Sequence, residues 1–158
     1  MFSFKMLNII LLICSFLVLG VASYTDIKSR RIPNKLSIIM LLLSIINVTA
    51  NIIAGDVKHT LVSTAIGGLL SLILVGIPYI VNKSLGAGDL KLSVAAGLFF
   101  GYKNTLSMLF IAFFICAIFS VILFVMNKKG RNFKLDSIPF APFLLTGALY
   151  AIITRFIL

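Results

Sequence analysis

Long apolar runs separated by short polar stretches dominate the chain. Residues 6–24, 36–54, 61–81, 105–126 and 138–157 are each long enough to cross a bilayer as a helix, which takes about 20 mainly apolar residues. A sixth run, 92–101, is shorter. As a helix it would extend only about 15 Å, at ~1.5 Å per residue. It follows the glycine-rich stretch Leu85-Gly86-Ala87-Gly88-Asp89. A loop at 86–89 dipping below the membrane surface would let that helix complete the crossing. Non-helical backbone at such depth must be buried in protein or line a water-filled cavity. The pattern therefore predicts an all-α membrane protein, a six-transmembrane-helix bundle whose fourth helix is short and preceded by a Gly-rich loop. Residues 1–158 form a single membrane-embedded domain in this reading, with the lipid bilayer as solvent.

Composition agrees. Of the 158 residues 61% are hydrophobic and 11% charged, against roughly 45–50% and about 25% in soluble domains. A soluble fold of this size has too little interior to hide that much apolar surface. The net charge of +10 is carried in short loops between the apolar runs, without a basic face interleaved with aromatics, so no nucleic-acid partner is expected. With six crossings, the loops at 25–35, 82–91 and 127–136 share one side and hold ten cations, leaving Lys5, Lys58, Lys103 and Arg155 on the other. Five crossings would divide the cations eight to six. The positive-inside rule favours six helices, both termini outside and Asp26, Asp89 and Asp136 at the cytoplasmic side of the plasma membrane. The first run also has features of a signal peptide, Lys5 and the small residues Val21-Ala22-Ser23. Against cleavage and export, Lys28, Arg30, Arg31 and Lys35 follow at once and favour a retained helix.

Glycine and alanine at 67, 68, 95, 96, 97, 101, 147 and 151, with Ser71, mark close helix contacts, Gly97 and Gly101 at small-xxx-small spacing. Cys14 and Cys116 lie inside apolar runs without a C-x-x-C pair, and His59 is the sole histidine. No metal site, disulfide framework or Ser/His pair is suggested.

The four acids are all aspartates, Asp26, Asp56, Asp89 and Asp136. Taken alone, Asp26 reads as a surface ion pair at a helix end, worth roughly 0–1 kcal/mol, and Asp89 as a helix N-cap. Together they fall at one membrane edge, 63 positions apart, and acids at such depth are costly and usually functional. Two adjacent carboxylates share a proton and titrate as a coupled pair. The ionised member takes a proton from water, while the neutral one donates a hydrogen bond to a peptide carbonyl as an oxyanion forms. That is aspartic proteolysis, and it requires no cofactor. Either aspartate suits the part of base. Asp136 reads as a loop charge partner, with Pro139 and Pro142 in the first turns of the last helix.

Three segments together resemble the type IV prepilin peptidases, a family of G-x-G-D membrane aspartic proteases. They are Asp26-Ile-Lys28-Ser-Arg-Arg-Ile32-Pro33-Asn34, Gly86-Ala-Gly88-Asp89-Leu-Lys91-Leu and Ile138-Pro139-Phe140-Ala141-Pro142. The resemblance implies cleavage of the short basic leader of prepilin-like protein substrates on the cytoplasmic side, with Asp26 and Asp89 as the catalytic pair. Lys28, Pro33, Asn34, Gly86, Gly88 and Lys91 carry over as motif residues without an assigned role. The cytoplasmic methyltransferase domain of larger members, with its paired C-x-x-C motifs, is missing from this sequence, so peptidase activity alone is expected. Ala141 stands where the proline motif often has glycine. From other classes, a small ion- or proton-coupled transporter or channel would use the same acids as ion sites, although the second, third and fifth helices offer almost no ionisable path. A non-catalytic membrane scaffold would have no need of them.

Overall fold

The computed structural model describes residues 2–55, 57–82, 86–128 and 139–157. All regular structure in them is helical: α1 (Phe2–Ser29), α2 (Asn34–Ile53), α3 (Val57–Asn82), α4 (Ala87–Lys128) and α5 (Ala141–Ile157). The first four are long and apolar enough to cross a membrane, and α5 is a shorter apolar helix. Leucine and isoleucine cover the outside of the bundle, where Leu17, Ile38, Leu42, Ile45, Leu69, Ile73 and Phe110 are all exposed.

Helix α2 shows how an all-apolar sequence acquires an inner face. Its buried residues, Ser37, Met40, Ser44, Asn47 and Ala50, recur every three or four positions, one stripe of a 3.6-residue helix. The inward face is the polar one, as suits a protein whose solvent is hydrocarbon. Ser44 Oγ donates to the Ala95 carbonyl at 2.7 Å, and Asn47 Nδ2 to the Phe99 carbonyl at 3.0 Å. These bonds fix the register of α2 against α4.

The six separate helices expected from the sequence are five helical elements. The short run 92–101 is the first part of the longest helix, and the expected connection to the next span is a single residue. Gly101, at φ 71° and ψ 172°, breaks α4 into stretches 87–100 and 102–128. Those angles are essentially confined to glycine. Thr105 Oγ1 donates to the Gly97 carbonyl at 3.2 Å, although residues eight apart in an unbroken helix are about 12 Å apart along the axis. The chain therefore folds back at Gly101. Backbone groups freed there find side chains: the Phe99 carbonyl takes Asn47, the Phe100 carbonyl takes Asn104 Nδ2 at 3.2 Å, and the Tyr102 N–H donates to Ser63 Oγ at 3.3 Å. Such satisfaction by protein is what a break within a bilayer demands.

Helix α3 crosses this turn in close contact. A Cβ on Gly67 would overlap the Gly97 carbonyl, and one on Gly97 would overlap Ser71 Oγ, so the small residues marked in the sequence do set this crossing. Helix α5 lies against the second stretch of α4. Phe113 packs on Phe140 at 5.4 Å between ring centroids, and Phe119 on Phe143 at 5.6 Å. A Cβ on Gly147 would overlap the Met108 carbonyl. Low numbers in α5 meet high numbers in α4, so the two run antiparallel. Helix α1 closes the bundle against α2 and α5. Leu19, Ala22, Phe140, Leu144 and Ala148 are fully buried there or nearly so.

Candidate active site

Asp26 lies in the last turn of α1, before Arg30, whose φ of 51° ends the helix. It continues a buried stripe formed by Leu11, Leu12, Ser15, Leu19, Ala22 and Ser23, and is itself only 4% exposed. Helical periodicity alone carries this carboxylate into the interior. The surface ion pair that Asp26 suggests in isolation is not what it forms. Its Oδ2 accepts the backbone N–H of Ala141 at 3.0 Å, across 115 positions of sequence.

That donor is the first N–H of α5, and the N–H of Phe140 just before it also bonds the carboxylate. A helix leaves its first four N–H groups without an internal partner. Ala141 donates to Asp26, Pro142 has no N–H, and Phe143 and Leu144 both donate to the Phe140 carbonyl, at 3.0 and 3.1 Å. The carboxylate thus sits at the partially positive end of the helix, where anions are favoured. Pro139 precedes α5 and only Pro142 lies within its first turn, correcting the placement of both prolines inside the helix.

Asp89 opens the buried stripe of α4 that continues through Leu92, Ser93, Ala96 and Phe100, and is 8% exposed. It is the third residue of the helix and not its N-cap. Its Oδ2 reaches back to accept the Gly86 N–H at 3.0 Å, while the Gly86 carbonyl accepts the N–H groups of Asp89 and Leu90. This is the carboxylate half of a capping box. Oδ1 of Asp89 is buried with no hydrogen-bond partner among the described residues. The charge of Asp26 acts directly on Asp89, so two carboxylates from opposite ends of the motif pattern share one end of the bundle.

The remaining motif residues divide. A Cβ on Gly88 would stand 3.0 Å from Ile32 Cβ and 3.2 Å from the Ile32 carbonyl oxygen, so glycine allows the start of α4 to approach the turn before α2. Lys91 Nζ donates to Asn34 Oδ1 at 3.3 Å, a second tie between the two segments. An apolar groove of about 510 Å³ begins at this pair and continues past Ser37, Ile38, Leu72 and Val94. Lys28 and Pro33 are not drawn in. Lys28 is exposed, with Nζ 5.9 Å from the centroid of the Tyr24 ring. Pro33 is exposed and extended at φ −60°, ψ 133°, leading into α2. Asp56, Lys83, Ser84, Leu85, the cations at 129, 131 and 134, and Asp136 lie outside the described residues.

One contributor had no side-chain signal: Ala141 acts through its backbone N–H. The Pro-x-x-Pro spacing of 139–142 was the available hint, because it marks where a helix begins.

The chain matches the profile of the type IV leader peptidase family over residues 10–121. It belongs to that family. The matched region holds Asp26, Asp89 and all the motif residues between them. The prepilin peptidase EppA of Methanocaldococcus jannaschii is 31% identical in an alignment that covers 92% of this chain and 41% of that relative. The chain thus spans about two-fifths of the length of that leader peptidase. No solved structure matches.

Proposed function

We propose that this leader peptidase family member is a membrane aspartic endopeptidase that removes the short basic leader from prepilin-like precursors at the cytoplasmic edge of the plasma membrane. The observation that carries this is the convergence of Asp26 and Asp89, two buried carboxylates 63 positions apart, the second within range of the charge of the first, on segments tied by Gly88 against Ile32 and by Lys91 to Asn34. Each has one oxygen already engaged by a backbone N–H, from Ala141 and Gly86 respectively. Water is activated by the ionised carboxylate, and the peptide carbonyl is polarised by the protonated one. The water oxygen adds to the carbonyl carbon as a water proton passes to the ionised carboxylate, the C–N bond breaks, and the leaving nitrogen takes a proton from the pair. Gly88 and the Asn34–Lys91 pair keep the two segments together, whereas Lys28 and Pro33 lie exposed outside the site.

In this proposal the two stretches of α4 are separate crossings, giving six in all with both termini outside. Gly101 then lies at the outer surface and the cation-rich loops inside, as the ten-to-four asymmetry requires. A transporter has less support, since the described acids sit at one end and no ionisable chain leads from them across the bundle.

The test is co-expression with a prepilin-like precursor encoded nearby, followed by N-terminal sequencing of the product. Cleavage after the basic leader is expected with the wild-type chain and its loss with Asp26→Asn or Asp89→Asn, both still inserted. Unaltered processing by either variant removes that aspartate from the catalytic pair.

A further inference from the structure

Six serines are buried among the described residues, and three of them behave as serines in apolar helices do. Ser15, Ser23 and Ser44 each donate to a backbone carbonyl within their own helix or the next. Ser37, Ser71 and Ser93 have no hydrogen-bond partner among the described residues. Two of these have other surroundings. Ser71 Oγ is pressed against Gly97 at the α3–α4 crossing, and Ser37 lines the apolar groove. Ser93 is fully buried and lies one turn beyond Asp89 on the same stripe of α4.

Helix geometry aims Ser93 at the aspartate. Side chains in a helix lean toward its N-terminus, so a residue four positions on covers the one before it. Their Cβ atoms stand about 5–6 Å apart, a separation that one water bridges readily. The matching group is present, because Asp89 Oδ1 is the carboxylate oxygen that Gly86 leaves over, and it too is buried without a partner. Buried polar atoms without protein partners are ordinarily paired through water.

We propose that Ser93 Oγ and Asp89 Oδ1 hold one water molecule between them, making Ser93 a positioning residue for the water consumed in hydrolysis. This rests on the peptidase reading above for its role in turnover, though not for the water itself. Ser93 forms no covalent bond in the reaction. Its hydroxyl orients the water while one proton passes to the carboxylate pair and the oxygen adds to the peptide carbonyl.

The experiment compares wild type, Ser93→Ala and Ser93→Thr in nanodiscs, with Ser71→Ala as a buried control away from the aspartates. With a prepilin-like precursor as substrate, Ser93→Ala should lower kcat about tenfold, the rate equivalent of one net hydrogen bond. KM should stay within about twofold, since the lost contact serves the reacting water and not substrate binding. Ser93→Thr keeps the hydroxyl and should stay near wild type, as should Ser71→Ala. Without substrate and at acid pH, where both carboxyls are protonated, the infrared C=O stretch of Asp89, identified as the band missing in Asp89→Asn, should move in Ser93→Ala and hold its place in Ser93→Thr. An unmoved band in Ser93→Ala overturns the proposal, whatever happens to kcat. Equal losses in Ser93→Ala and Ser93→Thr overturn it as well, pointing to packing. A wild-type chain that leaves the precursor intact defeats the peptidase reading instead, and the infrared band still decides the water.

Discussion

At the scale of single residues, the site depends on which oxygen of each aspartate is already engaged. Asp26 is held by an N–H from α5 and Asp89 by an N–H from its own loop, so neither carboxylate can rotate freely. Hydrogen bonds to charged groups contribute about 1.5–3 kcal/mol each. Ala141→Pro removes one of the two backbone donors to Asp26, leaving that of Phe140, without forbidding the helix, because proline is well tolerated at a first helical position. We expect a precursor-cleavage rate about 10- to 100-fold lower with helix content unchanged by circular dichroism, the kinetic equivalent of one charged hydrogen bond. Retained activity would mean that the α5 contact is dispensable. Asp89→Asn keeps the shape of the side chain but cannot take or give the proton. Its loss of rate should reach about 10²-fold or more, as for other general acid–base groups, measured in the same cleavage assay.

At the scale of elements, the decisive feature is the fold-back of α4. It sets Asp89 at one end of a stretch that is pinned to α2 by Ser44 and Asn47 and to α3 by glycine contacts. Replacing Asn47 by Leu leaves the Phe99 carbonyl without its donor. Hydrogen bonds between membrane helices average about 0.6 kcal/mol and reach roughly 1.7 kcal/mol, so Asn47→Leu should lower thermal stability in detergent by a modest but measurable amount. Gly101→Ala forces a side chain into backbone angles that cost about 1–3 kcal/mol; a larger drop in Tm than that of Asn47→Leu is the expected result. Equal stability of Gly101→Ala and wild type would mean that the turn relaxes without penalty. The apolar runs at 36–54 and 61–81 were legible as α2 and α3 to within a few residues, because uninterrupted hydrophobicity reports burial in lipid directly. The joining of 92–101 to 105–126 was not, because one glycine in a run of apolar residues looks like ordinary helix packing until a donor such as Ser63 is found beside it.

For the whole molecule, lipid-facing isoleucine and leucine surround a narrow polar seam, and the seam carries both the helix ties and the aspartates. The proposed topology places Lys28 and Lys103 on opposite faces of the membrane. Single cysteines at these positions in a Cys14→Ser, Cys116→Ser background should be labelled by impermeant maleimide from opposite sides of oriented vesicles. Labelling of both from one side would remove the six-crossing arrangement while leaving the convergence of the aspartates untouched.

Hydrophobic pattern by itself determined that this chain is helical and lies in a bilayer, since its apolar runs are continuous over about 20 residues and lack the alternation of a barrel strand, which leaves the helix to satisfy the backbone groups. The spacing of Asp26, the G-x-G-D segment and the prolines was likewise enough to suggest the family. What the sequence did not contain is the partner of each carboxylate. The donors are main-chain N–H groups, which every residue but proline carries, so only the packing of α5 against α1 selects Ala141 for Asp26. The same holds for Ser93 and for Gly101, whose importance comes from neighbours brought near in space. Local pattern specifies elements because helices form from nearby residues, whereas a site made of backbone ends and buried oxygens exists only once those elements have docked.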